Sequence, residues 1–194
     1  MFEAFLLPAP GLDFPGVKTW IALLRGVNIV GRKQVPMKRL VAAFERAGFR
    51  SVRTYIQSGN VIFQSSSGSA RTLGTRIARL VREDFGFEPQ VMVLSGAQLR
   101  AAVSGNPFPG AHENHKALHI FFLAEPPAKP DLESLEQVRG RREGFALKDG
   151  FFYLYTPDGF PDSVVRSRLE RCLGVAATGR NWRTANALLT MLDA

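Results

Sequence analysis

Apolar residues along this chain occur in two patterns, short continuous runs and stripes with helical spacing. The run from Lys18 to Val27 is almost uniformly apolar, which is typical of a central strand covered on both faces. After a polar, basic loop, we take Pro36 as the first residue of a helix whose apolar stripe ends at Gly48. Two β-rich runs between Val52 and Phe63 then flank Gln-Ser-Gly-Asn, and this stretch predicts a tight hairpin.

The elements that follow complete a βαββαβ order. Between Ala70 and Phe85 the apolar positions form one stripe bordered by arginines, which predicts an amphipathic helix. Glu88 to Leu94 alternates and then runs apolar, as a strand does. Ser95 is a suitable N-cap for a short helix that extends to about Val103. The order of these elements is that of a ferredoxin-like domain.

A second βαββαβ series follows a loop rich in Pro and Gly, residues 105–115, which is the best candidate for a domain boundary. Its predicted elements are a strand at 116–124, a helix at 131–139, a hairpin of strands 145–147 and 151–155, a helix at 163–173 and a short strand at 175–178. A last helix, with Thr184 as its cap, extends to Leu192 and has one apolar face. The predicted fold class is α+β. It comprises a flexible extension (1–17) and two ferredoxin-like subdomains in tandem (18–105 and 106–194), the second with a C-terminal helix.

Length and composition bound the class of protein. The chain has 194 residues, of which 45% are hydrophobic, so it can bury a sizeable core. No apolar run approaches the roughly 18 to 20 residues that span a bilayer, and the first 17 residues lack the features of a signal peptide. Cys172 is the single cysteine, so an intramolecular disulfide is excluded and a reducing cytoplasm is the expected compartment.

The net charge of +8 is concentrated in the first half of the chain. Up to Ala97 there are 13 Lys and Arg against 6 Asp and Glu, whereas the remainder has 12 against 11. This asymmetry makes nucleic acid an alternative partner for the first half. Arginine outnumbers lysine 19 to 6, however, and a GC-rich genome produces the same excess without any ligand.

Five stretches of the sequence together resemble one bacterial family. They are Ile-Ala-Leu-Leu-Arg-Gly-Val-Asn at 21–28, Thr-Tyr-Ile-Gln-Ser-Gly-Asn-Val at 54–61, Asn-Pro-Phe at 106–108, Tyr-Thr-Pro-Asp-Gly at 155–159 and Thr-Gly-Arg-Asn-Trp-Arg-Thr at 178–184. The family is that of the domain of unknown function numbered 1697, and the resemblance extends from Thr19 to Leu192. It implies two ferredoxin-like subdomains and leaves the biochemical activity open, because the family has no settled one.

The loop after the first strand is the first candidate site, with Arg25, Asn28, Arg32 and Lys33. It leads from a strand end into a helix start, where free backbone N–H groups and the helix dipole favour an anion. The loop lacks the Walker and dinucleotide-binding patterns, and Ile-Val-Gly at 29–31 departs from the Val-Gly-Gly that is usual in the family. The alternative is a basic connection with no ligand.

The hairpin supplies Thr54, Gln57, Ser58 and Asn60 as further candidates. Residues of these types are common in turns, where their side chains bond to nearby backbone, so a purely structural role is the alternative. The family resemblance nevertheless makes these four residues the ones to test first.

The stretch Arg180-Asn181-Trp182 completes the set of candidates. We predict that Arg180 and Asn181 meet Arg25 and the hairpin in one polar pocket between the subdomains, since ligand sites favour such junctions. In the simpler interpretation, Trp182 fills the core and Arg180 pairs with a carboxylate.

Metal, cofactor and known catalytic patterns are not apparent. His112, His115 and His119 lack metal-ligand spacing, so neither a metal nor a cofactor is predicted, and Cys172 is expected to be a buried apolar residue. The aromatic string with which RNA-recognition domains stack bases is also missing. The leading hypothesis is a protein that binds a small anionic or phosphorylated ligand. Non-specific nucleic-acid binding and an enzyme at the same pocket are the alternatives. Oligomeric state stays open.

Overall fold

The computed structural model describes residues 16–29, 33–109 and 114–194. Apart from Gly16 and Val17, the predicted N-terminal extension lies outside these residues. The elements in chain order are β1 (Lys18–Leu24), α1 (Met37–Arg46), β2 (Arg50–Tyr55), β3 (Asn60–Ser65), α2 (Ala70–Phe85), β4 (Val91–Ser95), α3 (Gly96–Ser104), β5 (Leu118–Leu123), α4 (Leu132–Glu136), β6 (Gly144–Lys148), β7 (Phe151–Tyr155), α5 (Val164–Leu173), β8 (Ala177–Asn181) and α6 (Trp182–Asp193).

The first sheet has the strand order β2-β3-β1-β4, and each neighbouring pair is antiparallel. Its outer face is covered by α1 and α2, whose stripes of Leu40, Phe44, Leu73 and Ile77 form a buried cluster with that face. The bounds of α2 agree with the prediction. Ser69 begins it with a capping box, since its side chain accepts from the Thr72 N–H and the Thr72 side chain accepts from the Ser69 N–H.

The second sheet repeats this arrangement, with the order β6-β7-β5-β8 and antiparallel neighbours throughout. A separate cluster that includes Phe152, Leu135 and Leu169 packs α4 and α5 against its outer face. Asp149 and Gly150 both have positive φ, as the tight turn between β6 and β7 requires. The fold is therefore α+β with two ferredoxin-like subdomains, as predicted.

A third buried cluster joins the two sheets. Ile21 and Leu23 of β1 lie in it together with Ile120 of β5, Tyr153 of β7 and residues of α3 and α6. Ala22 and Leu24, which alternate with Ile21 and Leu23, belong to the outer cluster of the first sheet. Since successive side chains of a strand point to opposite faces, β1 is buried on both sides, as its continuous apolar run predicts.

Some sequence predictions are wrong in detail. The helix predicted at 131–139 is the short α4, which ends at Glu136. Pro36 precedes α1 as its N-cap, because its ψ of 123° is extended and not helical. The strand predicted at 175–178 begins at Ala177 and continues to Asn181, so Arg180 and Asn181 lie in β8 and not after it. Asn181 caps α6 by accepting from the Thr184 N–H, and Thr184 therefore lies inside the first turn.

Within the described ranges, no helix has the length and apolar character needed to cross a membrane. Over the same ranges, His, Cys, Asp and Glu side chains do not gather into a group of three that would hold a metal ion. Cys172 is free and buried in the outer cluster of the second sheet, where it packs as a small apolar residue.

Candidate functional site

A cleft of about 660 Å³ opens at the junction of the two subdomains. The first subdomain contributes the end of β1 and the hairpin turn, and the second contributes β8, α5 and the start of β5. The lining residues are Arg25, Gly26, Ile29, Ile56, Ser58, His119, Phe121, Phe160, Arg166, Ser167, Leu169, Glu170, Ala177, Thr178, Gly179, Arg180, Asn181 and Thr184.

Arg180 crosses the junction from β8 to the first subdomain. Its Nε donates to Asn60 Oδ1, and its Nη2 donates to the carbonyl oxygens of Leu24 at 3.0 Å and Ser58 at 3.2 Å. Nη1 donates to Thr178 Oγ1 and to the Gly179 carbonyl oxygen, both at 2.9 Å. The side chain thus has an acceptor for all five of its N–H groups.

All the acceptors of Arg180 are uncharged. The residue is only 9% exposed, and burial lowers the pKa of its guanidinium to about 10. Within the described ranges, no Asp or Glu oxygen lies within 4 Å of it. Arg180 therefore carries a buried positive charge that dipoles stabilise but no carboxylate neutralises.

Residues of the hairpin turn accept hydrogen bonds from Arg180 and pack closely against the end of β1. Asn60 is fully buried, and its Nδ2 donates to the Tyr55 carbonyl oxygen and to Ser58 Oγ, which leaves Oδ1 for Arg180. Gly59 has a φ of +71°, and a Cβ built there would lie 2.5 Å from Val27 Cγ2. The turn packs so closely on the end of β1 that this position requires glycine.

Arg25 lies at the same cleft but is neutralised. Its Nη2 donates to Glu170 Oε2 at 2.7 Å, and its Nη1 donates to Gln90 Oε1 at 2.6 Å. The other oxygen of Glu170 accepts from the Ala177 N–H at 2.7 Å, so the carboxylate also fixes the start of β8. The ion pair with Glu170 joins the subdomains and contributes little net charge to the cleft.

A second wall of the cleft combines aromatic rings and a second unneutralised arginine. The rings of His119 and Phe160 stack with centroids 3.5 Å apart, and Arg166 Cζ lies 5.2 Å from the Phe160 centroid. Arg166 Nη2 donates to the Pro161 carbonyl oxygen at 3.2 Å. The other N–H groups of its guanidinium have no acceptor, and no carboxylate lies within 4 Å, among the described residues.

His119 has a polar atom without a partner. Its Nδ1 is buried and makes no hydrogen bond within the described part of the chain. Burial, with a smaller contribution from the charge of Arg166, lowers the pKa of His119 to about 4. The imidazole is therefore neutral at physiological pH.

Four of the candidates predicted from sequence line the cleft, namely Arg25, Ser58, Arg180 and Asn181. Asn60 lies behind them, buried against Arg180. The predicted convergence of Arg25, the hairpin and Arg180 is present. The donors of Arg180 and the side-chain oxygen of Asn181 are nevertheless used inside the protein.

The remaining candidates lie elsewhere. Asn28 links the loop after β1 to the hairpin, because its Nδ2 donates to the carbonyl oxygens of Val35 and Gln57. Lys33 Nζ lies 5.6 Å from the Phe87 ring centroid, and Trp182 is buried in the central cluster. The side chains of Thr54 and Gln57 do not line the cleft, and Arg32 lies outside the described residues.

Sequence reasoning missed the second wall, which includes His119, Phe121, Phe160, Arg166 and Leu169. It also missed Thr178, whose hydroxyl oxygen accepts from Arg180. In the sequence, His119 stands out only as a candidate metal ligand, and Arg166 has the pattern of an ordinary polar position of an amphipathic helix. A signal does exist in the alternation of β5, where a histidine takes a position on the same face as Phe121. The pairing that brings Asn181 opposite His119 becomes visible only in the fold.

The charges that line the cleft do not balance. Among the described residues that line it there are three arginines and one glutamate. Glu170 pairs with Arg25, so Arg166 and Arg180 have no negative counterpart, and the cleft carries an excess of about two positive charges.

Comparison with known proteins supports the fold and the resemblance. A family model described as "Protein of unknown function (DUF1697)" matches residues 17–153, which confirms the resemblance and ends before the Arg180-Asn181-Trp182 stretch. The solved structure of conserved bacterial protein SP0830 from Streptococcus pneumoniae has a TM-score of 0.67 and 19% sequence identity. The alignment covers 91% of this chain and 99% of that one. A search of curated proteins finds no match. At this identity the structural likeness shows a shared fold.

Proposed function

Since the chain belongs to the DUF1697 family of proteins of unknown function, we propose a function from the cleft itself: the protein binds a small anionic or phosphorylated ligand there. The observation that carries the proposal is that Arg166 and Arg180 border one cleft and neither has a carboxylate partner within the described residues. A buried or half-enclosed cation of this kind is stabilised when an anion enters the cleft.

The two arginines have different roles in this proposal. Arg166 is exposed and has guanidinium N–H groups without acceptors, so it supplies the direct hydrogen bonds, which are short and strong when they are made to an oxyanion. Arg180 keeps its internal hydrogen bonds and acts through its charge, which water screens poorly at a buried position. The hydroxyl groups of Ser58 and Ser167 lie at the same cleft as further polar groups.

Binding is a better-supported function for this cleft than catalysis. An efficient general base at neutral pH has a pKa near 7, whereas that of His119 is lowered to about 4. The carboxylate of Glu170 is held by Arg25 and by the Ala177 N–H. His119 is accordingly assigned the role of a neutral residue of the lining, whose ring stacks on Phe160.

The proposal is tested by calorimetric titration with orthophosphate, followed by a panel of sugar phosphates and nucleotides, at low ionic strength. The informative variant is Arg166→Gln, and its matched control is Arg168→Gln. Arg168 is exposed on the same helix, does not line the cleft, and its replacement changes the net charge by the same amount. We expect Arg166→Gln to weaken phosphate binding about tenfold and Arg168→Gln to weaken it less than about twofold.

Two results would overturn the proposal. In the first, none of the panel binds to the unmodified protein. In the second, both variants weaken binding equally, which would show that phosphate responds to overall charge and not to this cleft. Circular dichroism and thermal unfolding of both variants check that each is folded.

A further inference from the structure

The two most exposed large hydrophobic residues of the described chain both line the cleft. Ile29 is 64% exposed and Ile56 is 54% exposed, and they come from two different loops of the first subdomain. Single exposed hydrophobic residues are common on protein surfaces and need no explanation. Here two exposed isoleucines line the same cleft as two unneutralised arginines. We take them as an apolar part of the site.

The backbone at Ile56 strengthens this interpretation. Its φ is +46°, a left-handed conformation that β-branched residues rarely adopt and that costs about 1 to 2 kcal/mol. Asparagine or glycine would fit this position of the turn with less strain. An isoleucine that is both strained and more than half exposed gains little from burial in the protein, as expected for a side chain whose apolar contact forms when ligand is present.

The size of the cleft agrees with a ligand larger than an inorganic ion. Its volume of about 660 Å³ falls in the range of about 300 to 1,000 Å³ that is typical of sites for organic molecules. The wall that carries Arg166 is also largely apolar, since Phe121, Phe160 and Leu169 line it. A bare oxyanion would contact Arg166 and leave both apolar surfaces in water.

We infer that the ligand is an amphiphilic organic anion. Its anionic group lies near Arg166 and Arg180. Its apolar body contacts Ile29 and Ile56 on one side and the second wall, with Phe160, on the other. This inference rests on the proposed function, because the anionic group occupies the site described there. It adds the class of ligand, a phosphate or carboxylate joined to an aromatic or aliphatic group.

The test compares methyl phosphate with phenyl phosphate, which differ in the size of the apolar body and share the phosphate group. Calorimetric titration is carried out on the unmodified protein, on Ile56→Asn and on the control Val164→Ser. Asparagine tolerates a left-handed backbone, so Ile56→Asn is expected to fold. Val164 is 42% exposed at the start of α5 and does not line the cleft.

Phenyl phosphate is expected to bind the unmodified protein about tenfold more tightly than methyl phosphate. In Ile56→Asn this ratio should fall to about threefold or less through a loss of affinity for phenyl phosphate, and in Val164→Ser it should persist. Equal affinity for the two esters, or a preference that survives in Ile56→Asn, overturns the inference and leaves the proposed function intact. If neither ester nor orthophosphate binds, the proposed function fails and the inference fails with it.

Discussion

Two groups of arginines on this molecule look alike in the sequence and differ in their surroundings. The helix arginines Arg46, Arg79 and Arg82 lie on the outer helices of the first subdomain, and each pairs with a carboxylate at 2.6 to 3.2 Å. The cleft arginines, Arg166 and Arg180, have no such partner among the described residues. Local neutralisation therefore separates the two groups, although both consist of arginines.

This difference changes how the net charge of the chain is interpreted. Counting charges along the sequence assigns the excess to the first half and makes nucleic acid a candidate partner for it. The helix arginines are exposed and locally neutralised, which reduces the field they would present to a phosphate backbone. Arg39, Arg71 and Arg76 on the same two helices have no carboxylate within 4 Å among the described residues, so the first half keeps some unneutralised charge on its surface. Arg166 and Arg180 differ from them because they line a cleft whose space suits a small ligand.

The largest expected effect comes from Arg180→Ala. This variant leaves buried acceptors unsatisfied, among them Asn60 Oδ1 and the Leu24 carbonyl oxygen, and creates a cavity at the junction. We expect the free energy of unfolding, measured by urea denaturation, to fall by about 3 to 5 kcal/mol. A loss below about 1 kcal/mol would mean that the junction does not depend on this residue.

A smaller loss is expected for Gly59→Ala, in the turn that receives Arg180. The variant combines a strained positive φ with contacts of 2.5 Å to Val27 Cγ2 and 2.8 Å to Leu24 Cβ. Gly86→Ala is the matched control, since its φ is +79° and nothing lies within 4 Å of the new Cβ. Thermal and urea unfolding should show a loss of about 2 to 3 kcal/mol for Gly59→Ala and about 1 kcal/mol for the control. Equal losses would show that the close packing of the turn does not matter.

The third prediction concerns the pH dependence of stability at the cleft. The pKa of His119 is about 4 in the folded protein, below its ordinary value of 6.5, so the unfolded chain binds the proton more readily. The stability that neutral His119 contributes is fully present above pH 6.5 and is lost as the pH falls towards 4. The loss over this interval is on the order of 2 to 3 kcal/mol.

Comparison of the unmodified protein with His119→Gln isolates this effect from the titration of carboxylates. Urea unfolding between pH 7 and 4 should give a flatter profile for the variant. The control is His115→Gln, because His115 is exposed, and its profile should follow that of the unmodified protein. A profile for His119→Gln as steep as that of the unmodified protein would contradict the assignment of a neutral, buried imidazole.

The sequence predicts the elements better than it predicts the site, for a physical reason. Helix α2 follows from periodicity and capping, which are local properties. Strand β8 is only partly predicted, because Thr-Gly-Arg-Asn has little strand propensity and pairs with β5 through tertiary contacts. Gly179 is required in it, since a Cβ would lie 2.9 Å from the ring of Phe121.

The candidate site likewise contains some residues that the sequence predicts and others that it does not. Arg25, Asn60 and Arg180 could be predicted to converge because the order of elements places the ends of their strands together. Arg166 could not, because nothing in an amphipathic helix distinguishes an arginine that has a carboxylate nearby from one that lacks it. That distinction depends on which side chains the two subdomains bring within 4 Å, and it is the property that separates the cleft arginines from the helix arginines.

The smallest expected effect comes from a helix arginine. Arg79 Nε donates to Glu83 Oε1 at 3.0 Å across one turn of α2, and both side chains are mostly exposed. Exposed pairs of this kind contribute about 0.3 to 0.5 kcal/mol, and salt screens them. Urea unfolding of Arg79→Gln should therefore show a loss of at most about 0.5 kcal/mol, which shrinks further in 0.5 M NaCl.

The same variant should leave phosphate binding unchanged, because Arg79 does not line the cleft. If Arg79→Gln weakened phosphate binding as much as Arg166→Gln does, the distinction between the two groups of arginines would be lost. Phosphate would then respond to the total charge of the protein and not to the charge of the arginines that lack a carboxylate partner in the cleft.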